Sequence, residues 1–509
     1  MDIDTFFERL RQHAAQTSLP AIVGEHRAWT YDALLSEVHE CALALRHAGV
    51  RMLATLADNG PAWIVTDLAA LRAGVVHIPL PGFFTPDQLT QALQSTQADA
   101  IVAPQRLAPL LQAQDFCASA DRGDGLTLWQ RRSRPVATHP DAAKITFTSG
   151  STGQPKGVVL SGSAMLAVAE SLARTTVPLG IKRHLNTLPL SVLLENIAGV
   201  YAPLIAGMTC VSLPLAQVGL SGSSSFDPQA LHRAIETVRA QSMITLPQML
   251  RAYAGLLQAL AARAPATLSL VAVGGATVGP ALLAQAHALG IPACEGYGLS
   301  EAASVQTLNL PGASRAGTAG RPLPHTRLRV AADGEIEVAG SLFLGYLSQP
   351  PYCNTWLPTG DLGTLDEAGY LHIQGRKKNV LITAFGRNVS PEWVETALRD
   401  DARIAQAVVL GEAQPRLGAV LWPASSALTD ADLHAAVDAA NRTLPDYAQI
   451  AHWVRGAAPF TAKSGLATAN GRPRRPSVAA MHPDLFTDTH PDSTTCMTPK
   501  AMRTHHGIL

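Results

Sequence analysis

Residues 1 to about 135 alternate between segments with helical spacing of apolar positions and short continuous apolar runs. Helical spacing extends from Tyr31 to His47, and Val75 to Leu80 has the composition of a buried strand. The same alternation resumes at Lys144 and continues to about residue 302. This order of elements predicts a layered α/β architecture with largely parallel strands.

The pattern changes near Arg315, where strand-like alternation replaces helical spacing. Apolar residues alternate on both sides of Asp333-Gly334, which predicts a β-hairpin, and a second turn at 366–369 leads into another strand. These strands predict a small β subdomain within a large domain that spans residues 1–374.

Residues 375–480 predict a separate small α+β domain, which we call the lid domain. Ser390-Pro391 predicts a helix start and places Trp393 on the buried face of that helix. Two apolar strands, the first at 405–410, and a second helix follow.

Composition limits the class of protein. The chain has 509 residues, 47% hydrophobic and 15% charged, with zero formal net charge. It therefore lacks the basic surface of a nucleic-acid binder. No apolar run reaches the length of a membrane span, and the N-terminus lacks the features of a signal peptide. Six cysteines without paired spacing indicate reduced thiols in a cytoplasmic protein. Residues 481–509, rich in Pro, Thr and His, predict a weakly ordered tail.

The strongest chemical signal is the segment ITFTSGSTGQPKGVVL at 145–160. Its glycines let the backbone approach a phosphate, its N–H groups can form an anion nest, and Lys156 adds positive charge. The loop is not a Walker A motif, because Pro155 holds the position of the second glycine. The candidate phosphate contacts are Thr148, Ser149, Gly150, Ser151, Thr152, Gly153 and Lys156.

The pattern T-S-G-S-T-G-x-P-K-G resembles the phosphate-loop signature of the adenylate-forming superfamily, which includes acyl-CoA synthetases, luciferases and peptide-synthetase adenylation domains. The resemblance extends over about residues 20–475, and it is strongest to bacterial long-chain acyl-CoA synthetases. It implies a turn beside adenine and the motif Y-G-L-S-E at the phosphates. In this motif Tyr297 would lie near adenine, Ser300 at the phosphate, and Glu301 would bind Mg²⁺, which prefers hard oxygen ligands. The implied nucleotide contacts here are Gly274, Gly275, Ala276, Tyr297, Gly298, Ser300 and Glu301.

Two later motifs extend the resemblance. In T-G-D at 359–361, Asp361 would accept hydrogen bonds from both ribose hydroxyls. In G-R-K-K-N at 375–379, Arg376 would contact ribose and Lys378 would lie at the pivot between the two domains. The next segment, FGRNVSPE, resembles the long-chain version in which Gly386 lines the thiol-acceptor tunnel. Taken alone, these motifs also fit a solvated turn aspartate and an exposed basic turn.

The segment LPLSVLLEN at 188–196 resembles the long-chain pattern L-P-L-S-H-x-F-E. Glu195 matches that pattern, whereas Val192 stands where the long-chain group has histidine. Small residues at Ala198 and Gly199 fit either room for an acyl chain or close helix packing.

The superfamily uses a lysine near the C-terminus to stabilise charge during adenylation, and this chain has no lysine at that position. The segment GLATANGRPRR at 465–475 places Arg472 at the lysine and Arg475 at a trailing arginine. Three interpretations are open: Arg472 substitutes for the lysine, Lys463 reaches in, or adenylation is slow. The first interpretation is favoured, because a guanidinium is permanently charged and can bind a phosphate or a carboxylate bidentately.

The resemblance implies ATP-dependent activation of a carboxylic acid, expected to be a long-chain fatty acid, as an acyl-adenylate. Transfer to coenzyme A would follow, with release of AMP. An alternative acceptor is the phosphopantetheine of an acyl carrier protein. A second alternative is a nucleotide-binding pseudo-enzyme without turnover.

Overall fold

The computed structural model describes residues 1–123, 125–149, 155–222, 225–385, 387–468 and 471–486. The α-helices are α1 Ile3–Gln16, α2 Tyr31–His47, α3 Pro61–Ala73, α4 Pro86–Thr96, α5 Ala108–Gln112, α6 Gly162–Thr176, α7 Leu193–Asn196, α8 Ala202–Ile205, α9 Pro228–Val238, α10 Pro247–Ala259, α11 Pro280–Ala288, α12 Pro391–Arg399, α13 Asp430–Asn441 and α14 Arg475–Met481. A π-helical segment, Ile197–Tyr201, joins α7 to α8.

The strands follow in chain order. The first are β1 Ile22–Val23, β2 Ala28–Trp29, β3 Met52–Thr55, β4 Val76–Pro79, β5 Ala100–Pro104, β6 Cys117–Gly123, β7 Leu126–Gln130, β8 Ala142–Ser149, β9 Pro155–Ser161, β10 Arg183–Leu185, β11 Thr209–Val211, β12 Leu220–Ser221, β13 Ser225–Phe226 and β14 Ser242–Thr245. The others are β15 Leu270–Val273, β16 Ala293–Leu299, β17 Ser304–Leu308, β18 Arg321–Pro322, β19 Arg327–Val330, β20 Glu335–Ala339, β21 Gly345–Tyr346, β22 Leu357–Leu365, β23 Leu371–Arg376, β24 Leu381–Ile382, β25 Asn388–Val389, β26 Ile404–Leu410, β27 Leu417–Pro423 and β28 Ile450–Arg455.

Two large sheets form the large domain. Within the described residues, one has nine strands in the order β18-β17-β16-β15-β14-β10-β11-β1-β2, and the other has eight in the order β21-β9-β8-β4-β3-β5-β7-β6. The central strands of each sheet run parallel and the pairs toward their edges are mostly antiparallel. The α/β prediction is therefore confirmed.

Helices lie between the two sheets and on their outer faces. The core between the sheets contains residues of α1, α2, α3 and α6. The outer face of the nine-stranded sheet packs against α9, α10 and α11, and the outer face of the eight-stranded sheet packs against α4 and α5. Because both faces of the parallel strands are covered, some of them, such as β5 and β15, are continuous apolar runs rather than alternating ones.

The antiparallel subdomain has the predicted hairpin. Strands β19, β20, β22 and β23 form a four-stranded sheet, and Gly334 at the hairpin turn has a φ of +83°, a conformation that favours glycine. The T-G-D segment lies inside β22, and Asp361 is only 5% exposed. A solvated turn aspartate is therefore the wrong interpretation for this position.

The lid domain consists of the sheet β26-β27-β28 with α12 and α13. The predicted helix start at Ser390-Pro391 is confirmed, but the predicted burial of Trp393 is wrong, because this side chain is 39% exposed. Glu395 is buried on α12, since the guanidinium of Arg475 pairs with it at 2.6 Å.

The packed part of the chain extends past the predicted start of the tail at residue 481. Residues 483–486 form a helical turn, and Leu485 is buried against β27 and β28. The boundary at 480 was therefore placed too early, and residues 487–509 lie outside the described residues.

Two expectations from composition can be compared with the fold. Across the described ranges, none of the helices is both long enough and apolar enough to cross a bilayer. None of the five cysteines within those ranges forms a disulfide, and Cys496 lies outside them.

Candidate active site

The predicted phosphate loop connects β8 to β9, which form an antiparallel hairpin. Thr148 on β8 lies opposite Lys156 on β9, so the ends of the loop are held together by the sheet. Gly150, Ser151, Thr152 and Gly153, which were predicted as phosphate contacts, lie outside the described residues, as does the side chain of Ser149. The Lys156 side chain is exposed.

A buried network of charged and polar side chains contacts this hairpin through β8. Lys144 on β8 donates to Asp67 at 2.7 Å, and His77 contacts the same carboxylate at 2.6 Å. Asn196 donates to the second oxygen of Asp67 at 2.8 Å and also accepts from Lys144. Burial alone would raise the pKa of Asp67, but Lys144 and His77 hold it well below its usual range. Ionic contacts and hydrogen bonds therefore connect β8 to α3, β4 and α7.

Tyr346 links Lys156 to Glu301. Strand β21 pairs with β9, and the Lys156 ammonium lies 5.5 Å from the centre of the Tyr346 ring. The Tyr346 hydroxyl donates to Glu301 Oε1 at 2.9 Å, while the backbone N–H of Phe343 donates to the Glu301 carbonyl at 2.8 Å. Burial and the Glu301 carboxylate raise the pKa of Tyr346, so its hydroxyl remains a donor. No motif in the sequence indicated this tyrosine.

The Y-G-L-S-E motif lies at the carboxyl end of β16. Tyr297 is 9% exposed, and its hydroxyl donates to Asp361 Oδ2 at 2.7 Å. A Cβ on Gly298 would overlap the backbone carbonyl of Ser304 on β17, so only glycine fits there. Ser300 and Glu301 then form a 3₁₀ turn that directs Glu301 toward Tyr346.

Asp361 is held from two sides. Arg376 Nε lies 2.8 Å from Asp361 Oδ1, and the same guanidinium donates to the Thr359 carbonyl at 3.2 Å. Burial raises the pKa of Asp361, although Arg376 and the Tyr297 hydroxyl oppose that shift. Three predicted residues that are far apart in the sequence therefore form one cluster.

The Gly-Gly-Ala turn follows β15, next to the end of β14. The Gly274 amide donates to the Thr245 carbonyl at 3.2 Å, and Gly275 has a φ of +85°. Gly275 and Ala276 are exposed. The turn thus lies at the carboxyl ends of parallel strands, where open α/β sheets bind ligands.

Arg472 reaches the same region from the lid domain. Burial among protein atoms and the charge of Arg376 lower the pKa of Arg472, while Asp361 and Glu301 act in the opposite direction. The side chain is exposed to water, as at the edge of an open cleft.

Lys378 adjoins this group of charges. Burial and the nearby cations Arg376, Arg472 and Lys156 lower the pKa of Lys378. Lys463, by contrast, is exposed and has no ion pair with any residue that the structure describes. The site therefore gathers four cations around a space bordered by Asp361 and Glu301.

Arg475 anchors the segment that carries Arg472. Its guanidinium lies 2.6 Å from Glu395 and 3.3 Å from Glu392, both on α12. The sequence predicted the position of this arginine but not its buried partner Glu395. Gly386, the predicted lining of the thiol tunnel, lies outside the described residues.

The Glu301 carboxylate is a suitable ligand for a Mg²⁺ ion that nucleotide phosphates also bind. Within the described ranges, no group of three or more His, Cys, Asp or Glu residues is arranged to hold a metal by itself. Mg²⁺ is commonly bound by one or two carboxylates together with substrate phosphates and water, and Glu301 offers one such carboxylate.

Family models match most of the chain. A family model described as AMP-binding enzyme matches residues 9–347, and one described as AMP-binding enzyme C-terminal domain matches residues 378–485. A feruloyl-CoA synthase of an Amycolatopsis species is 30% identical over 441 residues, covering 80% of this chain and 86% of its own. The long-chain-fatty-acid–CoA ligase FadD15 of Mycobacterium tuberculosis is 28% identical over 436 residues and covers 70% of both chains.

The fold is shared with solved structures as well. The O-succinylbenzoate coenzyme A synthetase of Bacillus subtilis, solved with ATP and magnesium, superposes with a TM-score of 0.74. It is 22% identical and covers 92% of this chain and 98% of its own. At that identity the likeness concerns the fold.

Proposed function

Since the chain belongs to the AMP-binding enzyme family, we propose that it is an acid–thiol ligase that activates a carboxylic acid with ATP and transfers the acyl group to coenzyme A. The products would be an acyl-CoA, AMP and pyrophosphate. The observation that supports this proposal most strongly is the convergence of Lys156, Glu301, Asp361 and Arg376, with Arg472 added by the lid domain.

The nucleoside would bind between the Gly-Gly-Ala turn and Asp361. The Asp361 carboxylate accepts from Tyr297 and Arg376, which fix its orientation, and each oxygen retains a lone pair for a ribose hydroxyl. Tyr297 would lie beside adenine. These roles agree with the buried position of Asp361, because a buried acceptor needs hydrogen-bond partners.

The phosphates would occupy the space among the four cations. An oxygen of the substrate carboxylate attacks the α-phosphorus, the bond to the β-phosphate oxygen breaks, and pyrophosphate leaves. Fixed positive charges from Lys156 and Arg472 stabilise the negative charge that develops at the α-phosphate. Magnesium held by Glu301 and the phosphates would supply further neutralisation of this charge.

Arg472 is the best candidate to replace the missing lysine. It interacts with Asp361 and Glu301, whereas Lys463 has no such interaction among the described residues. A guanidinium can also bind a carboxylate and a phosphate oxygen together. We therefore assign charge stabilisation in the first half-reaction to Arg472.

The second half-reaction requires access for a thiol. Rotation of the lid domain about Lys378 would withdraw Arg472 and bring the segment around Gly386 to the acyl carbonyl. The thiol sulfur then attacks that carbonyl, and the bond from carbon to the bridging oxygen breaks to release AMP. Such lid rotation separates two arrangements of one site.

The proposed acid is a long-chain fatty acid, and the proposed acceptor is coenzyme A. A long-chain fatty acid follows from the long-chain motifs, while the names of relatives include both long-chain fatty-acid and feruloyl ligases. Coenzyme A is the proposed acceptor, and a carrier-protein phosphopantetheine is the alternative.

The test is pyrophosphate release from ATP with a panel of short, medium, long and aromatic acids, with and without coenzyme A. Acid-dependent release that coenzyme A accelerates, with formation of the acyl-CoA, supports the proposal. Release without consumption of coenzyme A favours the carrier protein. ATP binding with no release for any acid would favour the pseudo-enzyme.

A further inference from the structure

The carboxyl-terminal end of helix α12, in the lid domain, packs against the large domain. Gly279, which precedes α11, is buried there. A Cβ built on Gly279 would lie 2.7 Å from Asp400 Oδ1 and 3.2 Å from Thr396 Cγ2. The backbone of the large domain therefore lies directly against two side chains of the lid domain. We call this contact, formed by Gly279, Thr396 and Asp400, the α12 contact.

The large-domain side of the α12 contact belongs to the framework of the nucleotide site. Gly279 follows the Gly-Gly-Ala turn by three residues and has a φ of +85°. The backbone N–H of Val278, next to it, donates to Glu295 Oε1 at 3.1 Å. Glu295 lies on β16, two residues before Tyr297. The contact point is thus fixed to the strand that carries the predicted adenine neighbour.

The lid-domain side of the contact is connected to Arg472. Arg475 follows Arg472 by three residues, and its guanidinium lies 2.6 Å from Glu395 on α12. The segment that carries Arg472 is therefore anchored to α12. It follows that the position of α12 on the large domain determines how far Arg472 reaches toward Asp361.

Three charged side chains meet where α12 approaches α10. Arg251 on α10 is partly buried, and burial and the Arg399 charge lower its pKa, while Asp400 acts in the opposite direction. Burial raises the pKa of Asp400, and Arg251 and Arg399 oppose this rise. The packed lid domain therefore brings its own Arg399 near Arg251 of the large domain, with one carboxylate near both guanidinium groups.

The Asp400 carboxylate makes this approach favourable. It attracts Arg251, and it lies at the amino-terminal end of α11, where the helix dipole also favours a negative charge. These attractions offset the repulsion between Arg251 and Arg399. The proposed rotation of the lid domain about Lys378 would separate all of these groups, so their interaction stabilises only the orientation in which Arg472 is in the site.

We infer that Asp400 is a positioning residue for adenylation, which holds the lid domain against Gly279 and Arg251 and thereby places Arg472 beside the reacting phosphate. Asp400 acts on the first half-reaction through Arg472 and has no role in the second, in which the lid domain leaves the α12 contact. This inference rests on the proposed two-step reaction and adds a residue that sets the balance between its steps.

The first experiment measures both half-reactions in Asp400→Asn. Adenylation is followed as acid-dependent pyrophosphate release, and thioester formation is followed from supplied acyl-adenylate and coenzyme A. The rate of adenylation should fall by roughly three- to tenfold, because the attraction is lost and the repulsion between the two arginines remains. The rate of thioester formation should stay within about twofold of the wild type. An equal loss of both rates would overturn the inference.

A double-mutant comparison isolates the charge of Asp400. Arg251→Gln removes both the attraction to Asp400 and the repulsion from Arg399, so its rate of adenylation should stay within about threefold of the wild type. Adding Asp400→Asn to this variant should change the rate of adenylation by less than about twofold. A loss from Asp400→Asn of the same size in both backgrounds would overturn the inference.

Gly279→Ala tests the contact by size instead of charge. The new Cβ would displace α12, so adenylation should fall at least severalfold while thioester formation persists. The matched control is Gly180→Ala, because Gly180 also has a positive φ, of +69°, but has open space around it. The control should leave the ratio of the two rates unchanged. The same ratio in both glycine variants would overturn the inference.

Amide hydrogen exchange supplies a readout that does not require turnover. Exchange in residues 278–283 should be faster in Asp400→Asn than in the wild type, because the lid domain covers Gly279 less of the time. Unchanged exchange in this segment would overturn the inference. If the wild type releases no pyrophosphate with any acid, the proposed function fails, and the exchange measurement still tests the α12 contact.

Discussion

Removal of the guanidinium at Arg472 should slow adenylation without preventing the second half-reaction. Arg472 belongs to the lid domain but interacts with Asp361 and Glu301 of the large domain. In Arg472→Ala the cations Lys156, Arg376 and Lys378 remain, so nucleotide binding should persist. The lost charge is the one assigned to the transition state of carboxylate attack.

The size of the effect follows from the charge and its environment. A unit charge about 5 Å from a developing negative charge, at an effective dielectric constant of about 20, contributes about 3 kcal/mol. Arg472 is exposed to water, which weakens this interaction, so about 2–3 kcal/mol is expected. That corresponds to a loss of roughly 30- to 150-fold in the rate of adenylation.

The assay separates the two half-reactions. Adenylation is measured as acid-dependent pyrophosphate release, and thioester formation is measured from supplied acyl-adenylate and coenzyme A. Arg472→Ala should lower the rate of adenylation and keep the rate of thioester formation within about twofold of the wild type, because the lid domain rotates away before thiol attack. Arg472→Lys should restore part of the first rate, and the matched control Lys463→Ala should change neither.

Two outcomes would refute this reasoning. Adenylation by Arg472→Ala within about threefold of the wild-type rate would show that its charge does not act in the transition state. A large loss in Lys463→Ala would transfer the role to that lysine. An equal loss of both half-reactions in Arg472→Ala would indicate a folding defect of the lid domain.

Three further predictions concern the framework of the site. Gly298→Ala should destabilise the large domain or abolish soluble expression, because the new Cβ would overlap a backbone carbonyl of β17. The control is Gly255→Ala, at a helical position with open space around it, which should leave the melting temperature equal or slightly higher. Lys144→Met should cost about 3–5 kcal/mol, measured as a lower melting temperature, because the buried Asp67 carboxylate loses its lysine partner and keeps only His77 and Asn196, and adding Asp67→Asn should recover part of the loss. Burial raises the pKa of Glu295 from 4.5 to about 7, so folding loses stability as pH rises through that range. Glu295→Gln should therefore be more stable than the wild type at pH 8, by up to about 3 kcal/mol, and a melting temperature unchanged across pH 5–8 in both proteins would contradict this assignment.

The fold was predictable where local pattern and long-range packing agree. The helix at Tyr31–His47 and the hairpin around Gly334 follow from apolar spacing and turn chemistry alone. Trp393 was misplaced because helical periodicity treats every apolar side chain as buried. Glu395 took the buried position, since Arg475, 80 residues later, neutralises it.

Motif resemblance indicated the residues of the candidate site but not their contacts. Motif resemblance identified Tyr297, Asp361 and Arg376, yet no spacing in the sequence indicates that Tyr297 donates to a carboxylate 64 residues away. Tyr346 belonged to no motif. Its position depends on the pairing of β21 with β9, which only the folded chain brings together.

The central claim, that a substrate carboxylate attacks the α-phosphorus of ATP, can be tested by oxygen transfer. The acid is supplied with both carboxyl oxygens labelled with ¹⁸O, together with ATP, Mg²⁺ and coenzyme A, and the AMP and pyrophosphate are analysed by mass spectrometry. We expect one labelled oxygen in each AMP and none in pyrophosphate, because the bridging oxygen leaves with the nucleotide. Labelled inorganic phosphate together with ADP would instead show attack at the γ-phosphate and would contradict the account.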